Sequence, residues 1–122
     1  MNFSQSIKPH VTDEINVAYQ YFDKGEHTLA FHHLERAHVL AQQSPSQHLR
    51  THVHMFFWAV RTLSLKEAFG QVIRMLGSMT QVVTGYFPPG NTGGSDISPF
   101  EELSIPDDLL KVINRAKADI PK

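Results

Sequence analysis

The sequence predicts an all-α protein: four helices in two hairpins, a repeat-like bundle, followed by a long Gly/Pro loop and a short C-terminal helix. Three observations predict it. Apolar residues recur at three-to-four spacing in four successive stretches, start and stop signals separate those stretches, and no alternating run is long enough for a strand. The length of 122 residues suits one helical domain over 1–122. Within it, 1–10 reads as a loose N-terminus, 84–104 as an ordered loop packed on the bundle, and 105–117 as the C-terminal helix.

Pro9 predicts a stop to any helix behind it, and Thr12-Asp13-Glu14 a start. Ile15, Ala18, Tyr19 and Phe22 then keep helical spacing until Asp23-Lys24-Gly25. The second helix is expected over about Glu26–Gln43, with Ala30, Leu34, Ala37 and Ala41 as its apolar stripe. At about 100° per residue, His27, Phe31 and His38 sit on the shoulder of that stripe. Glu35 lies farther out, and His32, His33 and Arg36 point to solvent.

Ser44 is a good N-cap for the third helix, with Pro45 at the first helical position and Gln47 placed for a capping box. Leu49, Val53, Phe56, Phe57 and Val60 form its apolar face; His52 borders that face and His48 lies one turn below. Ser64-Leu65-Lys66-Glu67 starts the fourth helix, whose wide apolar face is Leu65, Ala68, Phe69, Val72, Met75, Leu76 and Met79. Gly70 and Gly77 lie on one flank, where a close backbone approach would account for them. Glu67, Gln71, Arg74 and Ser78 make the opposite, polar stripe. That stripe is either solvated or bonded to loop backbone, whose polar groups need partners wherever the loop lies on protein.

From Thr84 to Pro99 the chain is rich in Gly and Pro, with Tyr86, Phe87, Ile97 and Phe100 as anchors. Gly90-Asn91-Thr92-Gly93-Gly94 lacks the Lys-Ser/Thr of a phosphate loop and follows a helix, so it reads as a rigid turn that steers the tail. Pro106 begins the last helix, with Asp107 and Asp108 at its positive end and Leu109, Leu110, Val112 and Ile113 for packing.

Composition narrows the function. Net charge is −1, which gives no electrostatic reason for a nucleic acid or an anionic membrane as partner. No cysteine is present, excluding disulfides, thiolate metal sites and thiol catalysis. No apolar run approaches the roughly 20 residues of a membrane span, and Met1 to His10 does not read as a signal peptide, so a cytoplasmic protein is expected. Histidine is the outlier, with 8 copies.

Glu35 and His38 are three apart on one predicted helix, and His48 and His52 four apart on the next. His38 lies six residues before Ser44 and His48 four after it, so a tight turn sets them at matching heights. His52, a turn deeper, has to reach back. Neutral imidazoles with one carboxylate make a four-coordinate set suited to a divalent transition metal: zinc, copper, nickel or iron. A structural polar cluster of the same residues is the alternative. Glu-x-x-His occurs once here, which rules against a di-iron bundle.

Two resemblances follow from these motifs. Ala18, Tyr21, Gly25, Ala30, Leu34 and Ala37 resemble the spacing of a tetratricopeptide repeat, which implies hairpin geometry over that one pair. More of the chain is covered by the order Leu34-Glu35-Arg36-Ala37-His38, His48, His52 and Met55, Glu67, Gly70-Gln71, Arg74, Pro89 to Gly94, then Ile105-Pro106-Asp107-Asp108-Leu109. This order resembles a small uncharacterised bacterial family, domain of unknown function 3703, found near heavy-metal-resistance genes. The resemblance implies a context and no activity.

The reading expected is thus a metal-binding accessory protein of heavy-metal resistance, with His38, His48, His52 and Glu35 as ligands. The alternative is a helical interaction module for a protein partner or a second copy, using Trp58 and the tail aromatics. No nucleophile motif, cofactor fingerprint or second catalytic carboxylate accompanies the His–Glu pair, so no catalytic residue is assigned.

Overall fold

Five helices make up the regular structure: α1 Phe3–Asp23, α2 His27–Ala41, α3 Pro45–Arg61, α4 Leu65–Thr84 and α5 Asp107–Ala118. They are seen in a computed structural model that describes residues 1–120, the side chains of Thr80 and Val82 excepted. No strand occurs among the described residues. The all-α bundle expected from the periodicity is present, with α1–α2 and α3–α4 as its two hairpins and α5 against α1 and α2.

The first ten residues are not loose. Asn2 and Gln5 form a reciprocal cap: the Asn2 side chain accepts from the Gln5 N–H at 2.9 Å, and the Gln5 side chain from the Asn2 N–H at 2.9 Å. Pro9 therefore stands inside α1, where a proline costs about 3 kcal/mol. Ile7 and Val11, on either side of it, are fully buried and together return roughly 3–6 kcal/mol. Ser6 adds a bond from its Oγ to the Ala116 carbonyl at 2.9 Å, tying this extension to α5.

The second departure concerns faces. The core joins Ile7, Val11 and Ile15 of α1, Leu34, Ala37 and Leu40 of α2, Met55 of α3, and Leu109 and Ile113 of α5; no described side chain of α4 belongs to it. In α3 the buried side is His48, Thr51, His52, Met55 and Ala59, while Leu49, Phe57 and Val60 are exposed. In α4 the apolar face points outward and the polar stripe inward, with Gln71 fully buried. The expected inward face of α4 is thus reversed, and that of α3 is displaced toward its imidazoles with Val53 and Phe56 half-buried, because His48 and His52 need polar partners and α4 supplies them.

Both downstream caps are also diverted. Ser44 Oγ accepts from the Gln47 N–H, yet the Gln47 side chain accepts from Arg50 instead of closing the box. Ser64 makes no side-chain cap, since the Glu67 carboxylate takes the Ser95 N–H and the Gln71 amide. His33 and Arg36 are not solvated: both bond Glu14 of α1, at 2.7 and 3.0 Å, and Arg36 also pairs with Asp108 of α5. Trp58 is spent within the fold, donating to the His27 carbonyl at 2.9 Å and packing on Phe31. Of the expected loop anchors, Tyr86 and Phe100 are exposed.

Candidate metal centre

Three residues, Gln42 to Ser44, separate α2 from α3, so the end of one helix faces the start of the next. His38, His48 and His52 meet across that turn, all buried. Their Nε2 atoms form a triangle: 2.9 Å from His38 to His48, 3.2 Å from His38 to His52, and 3.1 Å from His48 to His52. His52 does reach back, one helical turn from His48 on the same face.

Every Nδ1 points away from the triangle to an oxygen that can only accept. His38 meets the Asn91 carbonyl at 2.7 Å, His48 the Gln81 Oε1 at 2.7 Å, and His52 the Gln71 Oε1 at 2.6 Å. The two amides cannot flip to offer nitrogen. Gln71 Nε2 donates to Glu67 and to the Gly93 carbonyl, and Gln81 Nε2 to the Gln42 carbonyl. Each imidazole is therefore the Nδ1–H tautomer, and three bare Nε2 lone pairs converge. Burial is the main cause that lowers the proton affinity of all three; His52 is pushed down to about 3.

The triangle has the size of a metal face. With a metal–nitrogen distance of about 2.05 Å, right angles at the ion need nitrogens ~2.9 Å apart and tetrahedral angles ~3.3 Å. The observed edges, 2.9 to 3.2 Å, lie within that interval. The three imidazoles also form part of the wall of a cavity of about 420 Å³, with Ile73, Tyr86, Pro99 and Phe100 among its other lining residues.

The Gly-Asn-Thr-Gly-Gly turn clamps this centre. Asn91 carries His38 on its carbonyl, accepts the Gly93 N–H on its side chain, and donates to the Ser98 and Glu101 carbonyls. Gly93, at φ +85°, lies against the His38 ring, so close that a Cβ there would be 2.6 Å from its Cδ2. Gly70 gives the loop the same clearance, since a Cβ on it would be 2.7 Å from Ser95 Cβ; at Gly77 a Cβ would meet nothing within 4 Å. Of the two readings of the polar stripe, the one that bonds it to loop backbone holds: Glu67, Gln71 and Arg74 take the Ser95 N–H and the Gly93 and Ile97 carbonyls.

Glu35 does not join the imidazoles; the group of side chains that could hold one ion is His38, His48 and His52. One turn before His38, it lies beside Thr92, with Asp96 and Glu67 near, and burial raises its carboxyl to about 7.

A family model described as "Protein of unknown function (DUF3703)" matches residues 5–113. The chain belongs to this family. The matched region holds all three imidazoles, their amide partners and the clamping turn. No curated protein and no solved structure matches the chain. Within the family's span, the sequence singled out the three histidines but not Gln81 or Gln42. No local signal marked them, since a polar stripe opposite an apolar one is the ordinary pattern of a surface helix.

The buried imidazoles set a pH dependence. Unfolded, each takes a proton near 6.5; folded, each stays neutral to lower pH. Their contribution is whole above about 6.5 and is lost as pH falls toward 3. Glu35 works oppositely, contributing at low pH and losing that contribution as pH rises through about 7. Three imidazoles outweigh one carboxyl, so metal-free protein should lose roughly 10 °C of Tm between about pH 7 and 5. Thermal melts across that range check it; a flat or rising Tm contradicts the assignment.

Proposed function

We propose that the protein is a metal-binding accessory protein that holds one divalent transition ion on His38, His48 and His52, in the cytoplasmic handling of heavy metals. The observation that carries this reading is the convergence of three buried Nε2 atoms from imidazoles whose Nδ1 atoms all face oxygen acceptors. A hydrogen bond within the triad would need one ring to move its proton to Nε2. That ring would then press a bare Nδ1 against a fixed amide or carbonyl oxygen. A cation satisfies all three lone pairs at once, and the outward Nδ1–H bonds are the kind that orient metal-bound histidines.

Neutral nitrogen ligands and the lack of thiolate favour zinc, copper, nickel or iron over hard oxygen-seeking ions. Three protein ligands leave coordination positions open, and the adjoining cavity gives an exogenous ligand access to them. Elemental analysis of protein purified without an affinity tag tests the reading. One equivalent of metal is expected in the native chain, and under a tenth of that in His38→Ala and His52→Ala.

A further inference from the structure

The outward face of α4 has a regularity the metal centre does not use. Leu65, Phe69, Val72, Leu76, Met79 and Val83 follow one another at intervals of four, three, four, three and four residues. That is the core repeat of a coiled coil, sustained along the helix. Yet these side chains are exposed by 78, 69, 40, 67, 64 and 86 %. Rotation of α4 cannot bury them. Glu67, Gln71 and Gln81 on the opposite side are bonded to Ser95, His52 and His48, and turning the helix would break those bonds.

We propose that the chain pairs with a second copy of itself through this seam, α4 against α4. With Ile73 included, the exposed apolar area of α4 comes to roughly 800 Å², which is what one partner of a standard protein interface buries. Leu49, Phe57 and Val60 of α3 add further exposed apolar surface on the same hairpin. Two α3–α4 hairpins brought together make a four-helix bundle, each helix then having a partner for its apolar side.

The flanks of the seam argue for a second copy over a different protein. Coiled-coil partners are selected by charges beside the core positions. Among the described residues those flanks are Lys66, Ala68, Ile73 and Met75, with one charge between them. Nothing there rejects an identical chain, and a two-fold axis makes any apolar stripe its own complement. The cavity beside the imidazoles lies near this interface, since Ile73 lines it and also flanks the seam.

Sedimentation equilibrium of the full, untagged chain tests the proposal, with and without zinc, because it does not depend on metal. The expected mass is twice the 13.8 kDa of one chain at micromolar concentration. Leu76→Glu should raise the dimer dissociation constant at least ~100-fold, since it sets two carboxylates in an apolar seam. Leu76 is two-thirds exposed in the single chain, so the variant should keep its helical circular dichroism. A spin label on Lys66→Cys, the only thiol present, should show coupling between chains that disappears on dilution with unlabelled protein. A monomer at 100 µM, or a dimer untouched by Leu76→Glu, overturns the proposal. So does a chain that stays monomeric and binds lipid vesicles or another protein through α4.

Discussion

Metal-free protein mixed with zinc at a thousandfold excess over its dissociation constant should melt roughly 15 °C higher, and His52→Ala should melt unchanged. Ligand that binds only the folded form adds about 4 kcal/mol at that excess. For a chain of this length each 1 kcal/mol is worth roughly 3–6 °C. His52 supplies one vertex of the nitrogen triangle, and a two-nitrogen site lacks the third bond that closes the face. Its removal also strands the buried Gln71 Oε1, so the variant should start about 1–3 kcal/mol less stable before any metal is added. His32→Ala is the matched control, because His32 is exposed and belongs to no such group. A zinc shift that survives in His52→Ala contradicts the assignment.

Gly93→Ala should be nearly as damaging, although residue 93 offers no ligand atom. The methyl would overlap His38 Cγ, Cδ2 and Nε2 at 2.6–2.9 Å. The ring has no room to retreat, being held by the Asn91 carbonyl on one side and the other two imidazoles on the other. A side chain at φ +85° costs a further 1–2 kcal/mol. Together with overpacking the loss should be about 2–5 kcal/mol, a large share of the stability of a small domain. Zinc affinity should fall at least ~10-fold with it, because His38 Nε2 is displaced from the triangle. Gly77→Ala, where a Cβ meets nothing within 4 Å, should instead gain up to about 1 kcal/mol. Urea melts and zinc titrations of the two variants separate a loop that clamps His38 from one that merely covers it.

Spacing alone carried the histidines. His48 and His52 share a helix face by simple periodicity, and the short Gln42–Ser44 link brings His38 opposite them. Glu35 was misplaced because three residues along a helix keep a side chain on the same side but one turn away, and Thr92 and Asp96 occupy that level. Reading Pro9 as a stop set the start of the first helix too late, because the Asn2–Gln5 box and the burial of Ile7 and Val11 hold α1 together across the proline. The reversal of α4 and the displaced face of α3 were not legible from amphipathicity, which assigns an apolar stripe to a core without saying whose core. Only the tertiary bonds of Gln71 and Gln81 show that the polar stripe faces inward. Those bonds join residues 19 and 33 positions apart, beyond what any local pattern encodes.

The arrangement of neutral imidazoles around a common point is tested most directly by X-ray absorption at the metal edge of zinc-loaded, untagged protein. Three imidazole nitrogens at about 2.0–2.1 Å, completed by light exogenous ligands, are the predicted environment. A shell of oxygen alone, or one with fewer than three imidazoles, would contradict it.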